Sequence, residues 1–464
     1  MDDRLQDVLE SVEKRAPGYA DDLAAFVRIA SVSTAREHRQ DIDAAAEWTA
    51  ARLRRAGVPQ VQVLPTAGHP VVVGRWRVDD GLPTMVIYGH YDVQPPEPLD
   101  LWHSPAFEPE VRDGKLYGRG ASDDKGGVMV AIQAVEAWAE ATGAPPVNVT
   151  FMIEGEEEIG SPNLPAFLKA HAELLAGDLA ISADGGIYGV VVPSLTVSSR
   201  GLSGCEIVVR GASCDLHSGT YGGPVPNPLA GLASILASLH DGHGRVNVPG
   251  FYDGVEEPTE AQRAGLAAAP YDDAALLASL GLDRWTGEEG YSAPELRTIR
   301  PTLEINGMGG GYQGPGIKTV LPSEARAKIT CRLVAGQDPD RIVAAIATQV
   351  AATTPSGLKA DVTPLPGKGK AYAMPLDHPA LKPAAEAMAA VFGRQPFPVW
   401  QGGTVPVAET FHSQLGMWCL YFAFGEPDNG LHAPNEFVRV DMLRLGTLAT
   451  VRLLGALAHT PLAG

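Results

Sequence analysis

The sequence predicts an α/β protein with a central mixed sheet, helices on both faces of that sheet, and an inserted α+β domain. Between Val61 and Asp184, short apolar runs of strand length alternate with longer amphipathic runs of helix length. This alternation is typical of a sheet covered by helices. The pattern changes after residue 201 and returns at about residue 379, which indicates that a second domain interrupts the first.

The chain length supports two domains. At 464 residues, the chain exceeds what a single hydrophobic core usually supports. We expect the larger domain to comprise residues 1–202 and 376–464, and the inserted domain to comprise residues 203–375. The larger domain is therefore expected to be discontinuous in sequence.

Individual elements follow from the hydrophobic periodicity. Residues up to about Gly57 indicate two amphipathic helices, the second at about residues 39–55. Strands are then predicted at 71–78, 85–88, 147–153 and 179–182. Helices are predicted between them at 125–138 and 164–175. In the inserted domain, strands are predicted at 205–210 and 325–334. The last part of the chain is expected to contain a helix at 381–392, a buried strand at 418–424 and a helix at 442–457.

Composition excludes some partners. The formal charge is −19, from 36 basic and 55 acidic residues, which argues against binding to nucleic acid or to an anionic membrane. The four cysteines show no paired spacing and are expected to be buried thiols of a reducing compartment. The first residues lack the pattern of a signal peptide. These features favour a cytoplasmic protein.

Polar residues follow the predicted strands. His90 and Asp92 come at the end of one strand and point the same way because strand side chains alternate. Further carboxylates and an imidazole come later in the chain, at Asp123, Asp124, Glu156, Glu157, Glu158, Asp184 and His432. Each is a weak signal alone. Their repeated occurrence at one expected sheet edge favours a metal site, because clustered buried charges need a counterion.

Four motifs resemble those of the M20 metallopeptidases. They are HYDVQP at 90–95, GRGASDDKG at 118–126, EEIGS at 157–161 and LHSG at 216–219. Within that family, the chain is most similar to the dipeptidase branch of carnosinases and cytosolic nonspecific dipeptidases. The resemblance runs from about residue 20 to the C-terminus, and it implies a phosphorylase/hydrolase-like catalytic domain with an inserted lid and dimerisation domain.

The resemblance implies a centre with two divalent metal ions. His90 and Asp184 would bind one ion, Glu158 and His432 the other, and Asp123 both. Asp92 would orient His90, and the peptide between Asp123 and Asp124 would be cis. Three carboxylates and a hydroxide would offset the four positive charges, and mixed nitrogen and oxygen ligands suit Zn²⁺, with Mn²⁺ as a second candidate.

The resemblance also implies catalytic and substrate-binding roles. Glu157 would be the general base, and His217 would stabilise the oxyanion from the partner subunit of a homodimer. Arg332, Gly403 and Thr404 would bind the carboxylate of a small peptide substrate. Thr404 stands where the family has serine, so it keeps the hydroxyl and adds a methyl group.

Three functions remain open at this point. The first is a dinuclear hydrolase that cleaves dipeptides or short peptides and releases a free C-terminal amino acid. The second is an N-acyl amino acid deacylase or desuccinylase using the same site. The third is an inactive binding protein, which the complete set of ligands together with Glu157 disfavours.

Overall fold

The computed structural model describes residues 2–462, which form two compact units. The first unit comprises the residues up to Val197, Met374–Val399 and the residues from Val407 onward. The second comprises Ser198–Ala373 and Trp400–Pro406. The sequence-based boundaries placed residues 400–406 in the larger domain. They group with the second unit because their backbone carbonyls accept hydrogen bonds from Arg200.

A six-stranded mixed sheet forms the centre of the first unit. Its spatial order is Gln60–Leu64, Val71–Trp76, Asn148–Glu154, Thr84–His90, Leu179–Ser182 and Cys419–Tyr421. The first three strands pair antiparallel, and the last four are mutually parallel. Parallel strands are usually covered on both faces. In agreement, every residue of Asn148–Glu154 and of Leu179–Ser182 is buried.

Helices cover this sheet. Lys125–Thr142 packs against the strand Thr84–His90 and against the helix Val440–Leu457, and Arg39–Arg55 packs against the strands Gln60–Leu64 and Val71–Trp76. The other α-helices are Asp2–Arg15, Tyr19–Val27, Leu164–Ala170, Leu381–Phe392 and Pro406–Leu415. Single 3-10 turns lie at Ala16–Gly18, Arg36–His38, Leu99–Leu101 and Glu157–Ile159.

The prediction of two helices before Gly57 is wrong, because the structure has three in this region. Asp2–Arg15 and Tyr19–Val27 are separate helices, joined by the 3-10 turn Ala16–Gly18. Pro17 lies in that turn. Proline lacks the backbone N–H that a continuous helix requires and is tolerated only near a helix start. The third helix, Arg39–Arg55, has its predicted bounds.

Two three-stranded sheets accompany the central sheet. One has the order Phe437–Arg439, Lys115–Tyr117 and Glu110–Arg112. The other has the order Tyr372–Ala373, Ser194–Ser199 and Phe397–Gln401. None of the helices in residues 2–462 combines the length and apolar character needed to cross a membrane.

The second unit is built on a four-stranded antiparallel sheet. The order is Thr302–Gly310, Glu324–Leu333, Gly201–Arg210 and Lys359–Pro364, with a register shift between Ile305 and Gly307. A two-stranded pair joins Leu216–His217 to Val320–Leu321. The helices are Ser218–Tyr221, Pro228–Ala237, Glu260–Ala268, Asp273–Leu280, Ala293–Thr298 and Pro339–Thr353.

The core of the second unit lies between its sheet and two helices. The strand Gly201–Arg210 alternates buried and partly exposed residues, as expected for a sheet with one covered face. Cys205, Ile207 and Val209 pack with Leu232, Ile235, Ile342 and Ile346 from the helices Pro228–Ala237 and Pro339–Thr353. This arrangement and the mixed sheet of the first unit confirm the predicted fold class.

The cysteine prediction is correct for three residues and wrong for one. Cys205, Cys331 and Cys419 are buried free thiols, whereas Cys214 is exposed. Cys214 lies after the strand Gly201–Arg210 has ended, between Ser213 and Asp215 in a loop, where side chains are commonly exposed. Burial raises the pKa of the Cys205 thiol to about 11.

Candidate metal centre

Three neighbouring parallel strands bring polar residues to one edge of the central sheet. His90 ends the strand Thr84–His90 and lies opposite Glu154, the last residue of the adjacent strand. Glu157 and Glu158 follow Glu154 in a 3-10 turn. Asp184 follows the strand Leu179–Ser182 on the other side. The carboxyl ends of parallel strands therefore meet, as expected for an α/β sheet.

Asp123 reaches this edge from a loop rather than from a strand. The loop runs into the helix Lys125–Thr142, and the buried carboxylate of Glu436 holds it in place. Glu436 accepts hydrogen bonds from the Arg119 side chain (2.7 Å) and from the backbone N–H groups of Gly120 (2.8 Å), Ser122 (2.9 Å) and Asp123 (3.1 Å). The peptide between Asp123 and Asp124 is cis, as the resemblance implies.

The two carboxylate oxygens of Asp123 face two different histidines. Oδ1 lies 3.1 Å from Nε2 of His90, and Oδ2 lies 3.0 Å from Nε2 of His432. His90 is fully buried, whereas the side chain of His432 is 54% exposed. Asp123 therefore stands between an interior histidine and a histidine at the surface.

Two groups of side chains are close enough to hold a metal ion, and they share Asp123. One consists of His90, Asp123 and Asp184, and the other of Asp123, Glu158 and His432. Within each group, one candidate ligand atom per residue lies within 4.8 Å of the others. The structure therefore brings together all five predicted metal ligands.

Asp92 links His90 to the turn that carries the glutamates. Nδ1 of His90 lies 3.0 Å from the backbone oxygen of Asp92 and 3.4 Å from its carboxylate. That carboxylate accepts hydrogen bonds from the backbone N–H groups of Glu157 (3.2 Å) and Glu158 (3.1 Å). These contacts fix the orientation of the imidazole ring, with Nε2 directed toward Asp123 and the other candidate ligands.

The charges of the cluster shift the pKa values of its members. Burial raises the pKa of Asp184 to about 6, and the negative charge of Asp123 adds to the effect. Hydrogen bonds to Asp123 and Glu158 raise the pKa of His432 to about 10. For Asp123, burial favours a higher pKa, but hydrogen bonds with His432 and His90 outweigh it and hold the pKa below its usual range.

The donor set fits a pair of divalent transition-metal ions. Two imidazole nitrogens and three carboxylates converge, a mixture that suits zinc or manganese better than calcium. Carboxylates this close repel each other unless a cation lies between them. Asp123 can serve both groups because its two oxygens point apart toward His90 and His432.

Glu157 lies beside these ligands but belongs to neither group. Burial raises its carboxyl pKa well above the usual range, and the charges of Asp184 and Glu158 add to the effect although His90 opposes it. A raised pKa suits a group that must both accept and release a proton near neutral pH. Its neighbour Glu158 instead faces His432 at 3.3 Å, so the adjacent glutamates have different surroundings.

Two further residues support the ligands and were not predicted. Glu436 fixes the Asp123 loop, as described above. Gln94 donates a hydrogen bond from Nε2 to the carboxylate of Glu158 at 2.7 Å. Both residues lie near predicted ligands in the sequence: Gln94 is part of the HYDVQP motif, and Glu436 lies four residues after His432. Neither position indicates which group the side chain contacts.

Glu156 belongs to neither ligand group and is a buried carboxylate, 4% exposed. It accepts hydrogen bonds from the His69 backbone (2.9 Å) and from the Asn163 side chain (2.8 Å). Glu156 therefore fixes the loop around it, and its burial is compensated by these donors.

The predicted substrate-binding residues lie in the second unit. Arg332 donates a hydrogen bond from Nη1 to the Thr404 hydroxyl at 2.7 Å, and the Gly403 carbonyl accepts from the backbone N–H of Arg200 at 3.0 Å. Arg332, Gly403 and Thr404 thus form one group. His217 is exposed, and its Nδ1 accepts a hydrogen bond from the Gly219 backbone at 3.0 Å.

The first unit is an α/β domain whose candidate metal ligands lie at the ends of parallel strands. Comparison with known protein families agrees with a metal-dependent enzyme. Residues 86–456 match the model of peptidase family M20/M25/M40. The chain belongs to this family, as its motifs predicted.

Curated relatives cover nearly the whole chain. It is 30% identical over 452 residues to the Cys-Gly metallodipeptidase dug1 of Schizosaccharomyces pombe, covering 94% of this chain and 95% of the relative. It is 30% identical to the human Beta-Ala-His dipeptidase, covering 93% of this chain and 88% of the relative. These relatives are metallodipeptidases or dipeptidases by name.

A solved structure shows the same architecture. The M20 family metallo-carboxypeptidase Sso-CP2 from Sulfolobus solfataricus is 30% identical, with a TM-score of 0.79, covering 94% of this chain and 98% of that chain. Membership in a family of peptidases with named dipeptidase relatives makes this protein a metallopeptidase, and the comparisons do not favour the deacylase.

Proposed function

We propose that this protein is a dinuclear metal-dependent dipeptidase that releases a free C-terminal amino acid from dipeptides or short peptides. The observation that carries the proposal is the pair of three-residue ligand groups that share Asp123, with Glu157 beside them. Relatives named for cleaving Cys-Gly and Beta-Ala-His, each about 30% identical, support a dipeptide as substrate.

The ligand roles follow from the two groups. We assign His90 and Asp184 to one ion, Glu158 and His432 to the other, and Asp123 to both. Zn²⁺ is the proposed ion, with Mn²⁺ as the alternative. When bound, two such ions supply Lewis-acid activation of water and of the scissile carbonyl.

The chain itself supplies the proton transfer. Glu157 accepts a proton from the attacking water and later donates it to the leaving amine. Burial raises the pKa of the Glu157 carboxyl, so this group retains a proton more readily than an ordinary glutamate, which suits both steps. Asp92 keeps His90 and the backbone of Glu157 in place through the contacts described above.

The second unit is proposed to act as lid and dimerisation domain, and the first as catalytic domain. Arg332, Thr404 and Gly403 are proposed to bind the substrate carboxylate. A planar guanidinium can donate two parallel hydrogen bonds to a carboxylate. The hydrogen bond from Arg332 to the Thr404 hydroxyl would keep the guanidinium and the hydroxyl side by side, so that both can donate to the same substrate carboxylate. The three buried thiols are consistent with the proposed cytoplasmic location.

A substrate screen tests the proposed function. The purified protein, supplied with Zn²⁺ or Mn²⁺, is assayed on a panel of dipeptides and on a matched panel of N-acetyl and N-succinyl amino acids. The proposal expects turnover of dipeptides to exceed that of the acylated amino acids. Turnover restricted to the acylated amino acids would establish the deacylase instead, and no turnover of either with both ions bound would indicate a binding protein.

Substrates are expected to need a free C-terminal carboxylate. Amidation of a good dipeptide removes the anion that Arg332 and Thr404 would bind, at a cost of about 2–5 kcal/mol, the usual penalty for unpairing a buried charge. The measurement is kcat/KM for the dipeptide and its amide. Equal values for the two substrates would remove Arg332 from substrate recognition.

The second unit has features of a dimer interface. Thr302–Gly310 is an edge strand, and edge strands offer unpaired backbone groups to a partner. Two apolar residues of this strand are exposed, Ile305 (45%) and Met308 (55%), and so is Ile317 (94%) in the loop that follows it. Exposed apolar side chains beside an unpaired sheet edge support a partner-binding surface. We therefore propose a homodimer formed through the second unit, in which the exposed His217 acts on the partner's site.

Mixed dimers test the role of His217. His217→Ala and Glu157→Ala variants are each expected to be inactive, but a heterodimer of the two should regain one intact site and measurable activity. Mixing Glu157→Ala with a Glu157→Ala, His217→Ala double variant provides the control, because no intact site can form. If subunits exchange and the first mixture stays inactive, His217 does not act across the dimer.

A further inference from the structure

Arg200 lies against the segment that carries the proposed carboxylate-binding residues. Its backbone N–H lies 3.2 Å from the carbonyl oxygen of Gln401 and 3.0 Å from that of Gly403. Its side chain reaches the residue between them, with Nε donating to the Gly402 carbonyl at 2.9 Å. Arg200 therefore contacts three consecutive carbonyl groups in the segment that ends at Thr404.

The other end of the Arg200 guanidinium is anchored in a helical region of the same unit. Nη1 lies 3.3 Å from the carbonyl oxygens of both Leu296 and Arg300, at the helix Ala293–Thr298. A Cβ atom at Gly402 would lie only 2.4 Å from the Arg297 carbonyl oxygen and 3.3 Å from Nη2 of Arg200. The segment is thus packed so closely that a side chain at residue 402 does not fit, and Arg200 joins it to the helix.

Arg200 and Arg332 are two partly buried positive charges near each other. Among the described residues, neither guanidinium lies in an ion pair of 4 Å or less, although 30 such pairs are present. Burial and the charge of Arg332 lower the pKa of Arg200 to about 10, and the more distant Glu304 carboxylate opposes this shift without forming an ion pair. Two partly buried positive groups without a carboxylate in direct contact favour the binding of an anion.

We propose that Arg200 is a positioning and specificity residue for the substrate carboxylate, because it fixes the segment of Gly402, Gly403 and Thr404 beside Arg332 and adds a second positive charge. This inference rests on the proposed function and adds a residue to it. Thr404 can hold Arg332 only while its segment is fixed. Arg200 donates three hydrogen bonds to residues 401–403 of that segment, one from its side chain and two from its backbone N–H, and its side chain also joins the segment to the carbonyl groups of Leu296 and Arg300. Arg200 itself need not touch the substrate.

The test compares Arg200→Lys and Arg200→Gln with wild type on a dipeptide and on its C-terminal amide. Lysine keeps the charge but has one nitrogen, which cannot serve the carbonyl groups of Gly402, Leu296 and Arg300 together. We expect KM for the free dipeptide to rise roughly tenfold in Arg200→Lys and further in Arg200→Gln, the effect of losing charged hydrogen bonds. The kinetic constants for the amide should change by less than about twofold.

The decisive quantity is the preference for the free dipeptide over its amide. A fall in this preference in Arg200→Lys, with kcat for the dipeptide less affected than KM, supports the inference. A preference equal to that of wild type overturns it, and so does an equal loss on both substrates, because a general structural defect would not distinguish an acid from an amide. Arg200→Lys alone decides the result if Arg200→Gln fails to fold.

Arg297→Gln is the matched control. Arg297 is exposed, lies near enough to Arg200 to affect its pKa, and bonds through its side chain to the Tyr271 hydroxyl. The substitution removes one nearby positive charge but leaves the segment of residues 401–404 in place. It should keep the wild-type preference. A loss equal to that of Arg200→Lys would show that the preference does not depend on the specific contacts of Arg200, and it would overturn the positioning role.

A binding measurement separates this inference from the proposed function. If wild type hydrolyses no dipeptide, the proposed function fails, and leucine and leucinamide are then titrated into the protein by calorimetry. Tighter binding of leucine than of leucinamide, lost in Arg200→Lys and kept in Arg297→Gln, still supports the role of Arg200. Equal binding of the two, or no binding of either, contradicts it.

Discussion

The Glu157→Gln variant is expected to keep both metal ions and its affinity for substrate but to lose about 10²-fold to 10⁴-fold or more in turnover. Glutamine has the size of glutamate but cannot accept the proton of the attacking water, and this loss is typical of removing a general base. Glu157 belongs to neither of the two candidate ligand groups. Metal content and kcat measured on the same preparation give the result.

Glu158→Gln is the matched control, because it makes the same chemical change at the adjacent residue. Glu158 lies in the group with Asp123 and His432, so the variant should lose metal, and its activity should fall as a consequence. Excess metal ion should restore part of the activity of Glu158→Gln and none of that of Glu157→Gln. The assignment is wrong if Glu157→Gln loses an ion while Glu158→Gln retains two.

Removal of the metal ions is expected to abolish activity and to lower the melting temperature. Without the ions, three carboxylates would remain converged on one region with no divalent counterion. Ligand binding to the folded state stabilises it by about 3 kcal/mol when the ligand is at a hundred times its Kd, so the shift should be several degrees. The melting temperature is measured with and without a chelator.

Two controls separate the loss of metal from other effects of the chelator. Added Zn²⁺ or Mn²⁺ should restore both the activity and the melting temperature of wild type. In Asp123→Ala, which lacks the shared ligand, the chelator should have little further effect on melting. An unchanged melting temperature in wild type, after complete loss of bound metal, would contradict a role of the ions in stability.

The inner strands of the central sheet were predictable because they are short, apolar and almost entirely buried. The run of Leu179–Ser182 has its predicted bounds, and Thr84–His90 extends the predicted run by one residue at the start and two at the end. Hydrophobic periodicity specifies such segments directly. It also placed His90 and Asp184 at strand ends. The position of these two candidate ligands was therefore predictable from hydrophobic periodicity alone.

The supports of the site were not predictable, because they join residues far apart in the chain. Glu436 holds the Asp123 loop across more than 300 residues, and Arg200 holds the segment of residues 401–404 across about 200. No local pattern encodes such pairs. The grouping of residues 400–406 with the second unit has the same origin, since the contacts of this segment with Arg200 have no counterpart in the local sequence pattern.

The number of metal ions bound per chain tests the central claim most directly. The protein is saturated with Zn²⁺, excess ion is removed, and bound metal is quantified by plasma mass spectrometry for wild type and for Asp123→Ala. The shared position of Asp123 between His90 and His432 predicts two ions per chain in wild type and the loss of both in Asp123→Ala. One ion in wild type, or two retained in Asp123→Ala, would contradict a dinuclear centre joined by Asp123.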